Sequence, residues 1–207
     1  MIGALLLAAA PLATALDAET AFARDARRIG QWSAFRKWAD RDAVMFTPRA
    51  VWAKRFLRPL KDPPNAISWH ASQSFVSCDG RTAVNTGPWF KQDGTIGGSF
   101  TTVWQRTPEG WRWAYDGGSP SQVAPATRRA VTHRSSCTGS APGAPVAPPS
   151  RSLRDSSPTD AGRGQSADRT IGWDWKVSQN GGRRFRVYQW TGSRYTEVLH
   201  NDVPGTP

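Results

Sequence analysis

Few residues of this 207-residue chain stand out as able to do chemistry, and those few lie between residues 17 and 119. His70 is the one histidine between residues 17 and 119, and Tyr115 and Asp116 stand near the end of that stretch. A histidine and a carboxylate that meet can pass a proton between them. Other familiar constellations are missing: there is no Ser-His-Asp order, no P-loop and no dinucleotide-binding glycine pattern. Cys78 and Cys137 lack the paired spacing of a metal site, so neither a metal nor a cofactor is expected. Whether His70, Tyr115 and Asp116 can act together depends on the elements that hold them.

Those elements are legible in the periodicity. Phe22, Ala26 and Ile29 form one stripe of an amphipathic helix that Gly30 interrupts. Residues 31–39 read as a second helix, residues 43–46 as a brief strand, and residues 50–60 as a third helix carrying Val51, Trp52 and Phe56 together. Asp62-Pro63-Pro64 ends it, because proline cannot continue a helix. Four strand-like runs follow, at 67–78, 81–90, 95–106 and 111–117, separated by Asp79-Gly80, Asp93-Gly94 and Pro108-Glu109-Gly110. Asp-Gly between alternating segments favours a tight hairpin turn. Helices followed by an antiparallel meander make an α+β domain over residues 17–119.

Residues 120–168 are rich in Pro, Gly, Ala, Ser and Thr and read as a linker. Residues 169–203 turn strand-like again, as a three-stranded antiparallel meander too small to hold a core alone. At the other end, residues 1–15 carry no charge, are dominated by Leu and Ala, and close on Ala13-Thr14-Ala15, the pattern of a secretory signal cleaved after Ala15. The stretch is short for a membrane span, which needs about 20 apolar residues. A periplasmic or secreted location with no transmembrane anchor after cleavage is expected. The net charge of +11 does not point to specific nucleic-acid binding, because its excess is spread as +5, +3 and +3 over residues 17–121, 122–168 and 169–207.

Counting through the turns gives a register. Cys78 lies opposite Arg81 and His70 opposite Trp89; Trp89 faces Gly98, Asn85 faces Thr102, Trp104 faces Trp113 and Thr102 faces Tyr115. One face then carries His70, Asn85, Trp89, Phe100, Trp104, Trp113 and Tyr115; the other carries Trp69, Phe75, Val84, Val103 and Asp116. Side chains alternate faces, so His70 and Asp116 are kept apart unless a β-bulge reverses one of them. Gly97-Gly98 inside a strand marks strong curvature or such a bulge.

Three segments, RRIGQWSAFRKWADRDAVMFTP (Arg27–Pro48), SCDGRTAVNTGPW (Ser77–Trp89) and FTTVWQRTPEGWRWAYDGG (Phe100–Gly118), resemble exported members of the nuclear transport factor 2-like superfamily, in its SnoaL-like branch of unknown function. The resemblance implies a cone: a curved antiparallel sheet wrapped round the amino-terminal helices, with a pocket at its open end. Enzymes on such cones use a pocket carboxylate, a His–Asp pair, or Tyr with a protonated Asp. Carried over, that makes Asp116, His70 and Tyr115 the catalytic candidates. Trp52, Asn85, Trp89, Phe100, Trp104 and Trp113 are the candidates to line the pocket around a small apolar ligand. The resemblance also admits a homodimer through the sheet's outer face.

Three readings follow. The first is an exported cone that binds a small molecule without catalysis; the second is a lyase or isomerase using a pocket carboxylate or histidine. The third is a glycan- or protein-binding module acting through the last strands, where Asn180-Gly181 as a two-residue turn would pair Trp175 with Arg186 and Trp173 with Tyr188. Finally, Cys78 at a sheet rim and Cys137 in the linker are expected to form a disulfide, as export allows.

Overall fold

The computed structural model describes residues 13–120, 127, 129–142, 158 and 160–205. Most of the expected signal, residues 1–12, and much of the expected linker lie outside these.

Helix α1 (Ala15–Ile29) opens on a capping box in which Thr14 and Asp17 satisfy each other's backbone N–H groups. Ala18, Phe22 and Ala26 are buried along its inner face, with Glu19 among them. Gly30, at φ +103°, breaks the helix, and α2 (Gln31–Trp38) begins at once. Its cap comes from a distant residue. The Ser33 N–H donates to Asp62 Oδ1 at 2.9 Å and the Ser33 hydroxyl to Oδ2 at 2.5 Å. Asp62→Ala should therefore lower stability by about 1 kcal/mol, read as a shift in the urea midpoint; an unchanged midpoint would mean that the cap contributes nothing.

β1 (Ala39–Phe46) runs on from α2, and β2 (Ala50–Trp52) pairs back against it. That pairing shortens the expected third helix to α3 (Ala53–Leu57), since residues 50–52 satisfy their backbone in a ladder instead. The meander follows as β3 (Ser68–Trp69), β4 (Gln73–Val76), β5 (Thr82–Phe90), β6 (Ile96–Thr107) and β7 (Gly110–Ser119), and β8 (Val131–Arg134) comes later. The sheet order is β2-β1-β7-β6-β5-β4-β8, with β3 also on β5. It is mixed and not purely antiparallel, because β1 runs parallel to β7 and β8 parallel to β4.

The inner face packs on the helices. Phe22 meets Phe35 and Trp69 edge-on at 4.7 and 4.8 Å, with Trp104 and Trp113 fully buried nearby. The outer face, where a homodimer was expected to form, is covered within the chain by a second sheet. This has four strands, where three were expected, in the order β12-β11-β10-β9: β9 (Ala161–Gln165), β10 (Ile171–Val177), β11 (Arg183–Trp190) and β12 (Tyr195–Val203). Phe75, Val84, Val103 and Tyr115 of the first sheet pack there against Ile171, Trp173, Phe185 and Val187 of the second.

That second core corrects the expected Arg–aromatic ladder. Asn180-Gly181 lies in a longer turn, with the Ser178 N–H donating to Gly182 O, so Trp175 pairs with Phe185 and Trp173 with Val187. A slip of one residue turns Trp173 inward and leaves Arg186 on the outside, bonded to Asp174. The glycines of β9 explain why so plain a segment forms a strand. A Cβ at Gly162 or Gly164 would lie 2.0 or 2.1 Å from the rings of Trp175 and Trp173, so only glycine lets those indoles lie over the backbone.

Cys78 and Cys137 are bridged, with Cα atoms 5.1 Å apart. The bridge lies just past the parallel β4–β8 pair, where Arg134 also donates to Cys78 O at 2.9 Å. Among the described residues no helix is long and apolar enough to cross a membrane.

Candidate functional site

At the open end of the first sheet lies a cavity of about 330 Å³. α2 contributes Gln31, Trp32 and Phe35 to its wall, β1 contributes Met45 and Phe46, and the meander contributes Trp69, Trp89 and Phe100. Asp116 and the backbone of residues 117–120 form the far side, and Arg183 reaches in from the second sheet. The wall is thus mainly aromatic, with one carboxylate and one guanidinium.

A β-bulge places Asp116 there. Trp104 pairs with Trp113 as counted from the turn, but the next pairs are Val103 with Tyr115 and Thr102 with Asp116. The extra residue, Ala114, reverses every side chain after it. Asp116, assigned from the count to the outer face, is on the inner one; Tyr115, assigned to the inner face, is on the outer. Asp116 Oδ2 accepts from the Thr102 hydroxyl at 2.8 Å. Burial raises its carboxyl to about 6, against the opposing effects of that hydrogen bond and of Arg183.

His70 moves the other way. β3 pairs Trp69, not His70, with Trp89, and the break at residues 70–72 takes up the difference before β4 regains the counted register. Trp69 therefore points inward, and His70 is on the outer side with its ring stacked on Phe90 at 5.4 Å. The structure does not bring His70 and Asp116 together. Tyr115 is buried against Phe185, ring centroids 4.2 Å apart, and burial pushes its hydroxyl well above the ordinary tyrosine value. Of the residues expected to line a pocket, Trp89 and Phe100 do so. Trp104 and Trp113 lie deeper in the core, and half-buried Trp52, in β2 and not in a helix, is not part of the wall.

Asn85 belongs to a second polar group, beneath the cavity. Glu19, 1 % exposed, accepts from Trp69 Nε1 at 2.8 Å, Trp104 Nε1 at 2.7 Å and Asn85 Nδ2 at 3.2 Å. Burial raises its carboxyl to about 7; the indole and amide donors oppose this and the negative charge of Asp116 adds to it. Asn85, Thr102 and Asp116 form a row across β5, β6 and β7, so the two carboxyls stand at either end of one polar strip.

About half of the chain is similar to several solved structures. The chain is similar to an NTF-2-like protein of unknown function from Shewanella oneidensis, at 14% identity and a TM-score of 0.40, over 49% of this chain and 93% of that one. It is also similar to a candidate aromatic ring hydroxylase from Novosphingobium aromaticivorans, at 15% identity and a TM-score of 0.35, over 52% and 87%. A protein of unknown function from Mycobacterium tuberculosis matches at 13% identity and a TM-score of 0.34, over 54% and 79%. No family model matches the chain, and no curated protein matches it.

Glu19 and Arg183 did not emerge as site residues from the sequence. Glu19 left a signal: it falls four residues after Ala15 and three before Phe22, within the apolar stripe of α1, where a charged residue needs buried partners. Arg183 left none, since nothing local says that β11 begins beside the cavity.

Proposed function

We propose that this chain is an exported domain that binds a small, mostly apolar molecule in the aromatic cavity, with Asp116 as its polar contact. The observation that carries this is the single carboxylate facing an open apolar wall. Binding sites of this kind have a few convergent polar groups in a hydrophobic cleft. The disulfide supports an exported location, because such bridges persist in oxidising compartments. The SnoaL-like branch rests on the Thr-Thr-Val-Trp strand, its turn and Trp-Arg-Trp.

Naphthylmethanol tests the reading: its ring matches the aromatic wall and its hydroxyl can donate to Asp116. Calorimetry should show it binding more tightly above about pH 6, where Asp116 is ionised and a better acceptor. Asp116→Asn should remove this pH dependence and weaken binding about tenfold at about pH 8, since a hydrogen bond to a charged group contributes about 1.5–3 kcal/mol. No binding to the wild-type chain would overturn the proposal.

A second reading, acid–base catalysis by Asp116, is favoured by its raised carboxyl, which both takes and returns a proton near neutral pH. Acetonaphthone, an aromatic ketone with exchangeable methyl protons, separates the two. Accelerated deuterium uptake that Asp116→Asn abolishes means catalysis; uptake at the uncatalysed rate means binding alone.

A further inference from the structure

We infer that the second sheet completes the cavity and makes it selective for aromatic carboxylic acids, with Arg183 as the residue that reads the carboxylate. This rests on the proposed ligand-binding function and names the ligand class.

Three contacts hold the guanidinium at the cavity wall. Its Cζ lies 4.4 Å from the centre of the Phe46 ring, itself part of the wall, in a cation–π contact. Nη2 donates to Gly118 O at 2.7 Å, and the group lies beside the Tyr115 hydroxyl, both being within 3.0 Å of where a Cβ at Gly117 would stand. Gly117 permits the approach, because a Cβ there would lie 2.9 Å from Nη2. A guanidinium has five N–H donors in a planar fork that matches a carboxylate, so these contacts leave donors for a ligand. Among the described residues no ion pair of the second sheet or its approaches, Arg49–Asp160, Arg186–Asp174, His200–Glu197 or His200–Asp202, engages it. A cation on one side of a mainly aromatic cavity suits a flat ring carrying an anion.

Asp116 stands in the same wall and repels an anion while it is ionised. The charged or titratable groups acting on it are Arg183 from β11 and Glu19 from α1, with Tyr115 beside it on β7. Protonation of Asp116 removes the repulsion and turns its carboxyl into a donor. An aromatic acid therefore binds with uptake of a proton, and its pH dependence has the opposite sign to that of an alcohol.

The test compares naphthoate with naphthylmethanol on the full chain, by calorimetry at about pH 5 and about pH 8, on either side of the Asp116 titration. At the lower pH, naphthoate should bind the wild-type chain at least about tenfold more tightly than Arg183→Met, because a charge-assisted pair is lost. Naphthylmethanol, which has no charge for Arg183 to pair with, should still bind the variant and lose less than naphthoate does, which also shows that the variant is folded. Arg183→Lys should fall between, since it keeps the charge without the fork. Equal binding of naphthoate to wild type and Arg183→Met, or tighter naphthoate binding at the higher pH, would overturn the inference and leave the ligand-binding reading standing if naphthylmethanol still binds. If neither compound binds the wild-type chain, both readings fall.

Discussion

Glu19→Gln is expected to flatten the dependence of stability on pH, and to be less stable than the wild-type chain in acid yet not at alkaline pH. The Glu19 carboxyl titrates near 4.5 when exposed and near 7 when folded. A carboxyl raised on folding is unperturbed below its unfolded value, where both states hold the proton. As pH climbs from 4.5 towards 7 the unfolded chain releases a proton that the folded chain keeps, so stability falls and then levels off. An interval of that size corresponds to about 3 kcal/mol for a fully buried group. Asp116, raised from 3.8 to about 6, acts in the same sense over a lower window.

The opposite sign holds for Asp25 and Asp168. For each, burial is outweighed by hydrogen bonds: Lys37, Trp38 and Arg28 on Asp25, and Ser166, Asp79 and Thr170 on Asp168. Their contributions are present above the ordinary aspartate value and vanish as pH falls through the lowered one. Stability should therefore peak near about pH 4 and decline to about pH 7. Glutamine removes the charge but offers one acceptor oxygen where the carboxyl offers two, so the N–H of Trp69 or of Trp104 loses its partner. An orphaned buried donor costs about 1–3 kcal/mol. The two pH profiles should then converge or cross towards pH 7. Urea melts across the range decide it; equal slopes for the two chains would show that Glu19 does not change its proton affinity on folding.

Removing the Cys78–Cys137 bridge should have an effect of similar size. The bridge joins residues 59 apart, and the chain-entropy model assigns a loop of that length about 4 kcal/mol as an upper figure. A structural consequence adds to this. The segment around Cys137 links the two sheets: β8 pairs with β4, Gln189 Nε2 donates to His133 O at 2.9 Å, and Trp190 Nε1 donates to Thr138 O at 2.9 Å. Without the bridge only noncovalent contacts hold β8 in place, and its loss would bare the β4 edge. Cys78→Ala combined with Cys137→Ala should lower the urea midpoint by about 1–2 M. Thiol titration of the denatured, unreduced chain should find no free thiol. Two free thiols would refute the bridge and weaken the case for export.

Much of the fold could be read from local chemistry. The stripe of α1, the Gly30 break and the hairpin turns placed most elements within a few residues, because each depends on a few neighbouring side chains and on φ preferences. The β5–β6 register held as counted from Asp93-Gly94, and Gly97-Gly98 did coincide with its one irregularity. The pairing of Cys78 with Cys137 followed from there being only two cysteines.

What fails is everything downstream of a single extra residue. Side chains alternate with a period of two, so Ala114 moved Asp116 into the cavity and Tyr115 out of it, and the break at residues 70–72 likewise turned Trp69 inward and His70 outward. The longer turn at residues 178–182 did the same for Trp173 and converted an expected exposed ladder into a second core. Neither bulge nor turn length has a strong local signature here. They are set by how sharply the sheet must bend round Phe22 and the indoles of Trp69 and Trp104, and by the second sheet packing on its back. Both are properties of the assembled fold. Arg183 shows the same limit most plainly: its place beside Asp116 depends on two sheets meeting across more than sixty residues of chain, and that meeting is decided by the burial of Tyr115, Phe185 and Val187 between them.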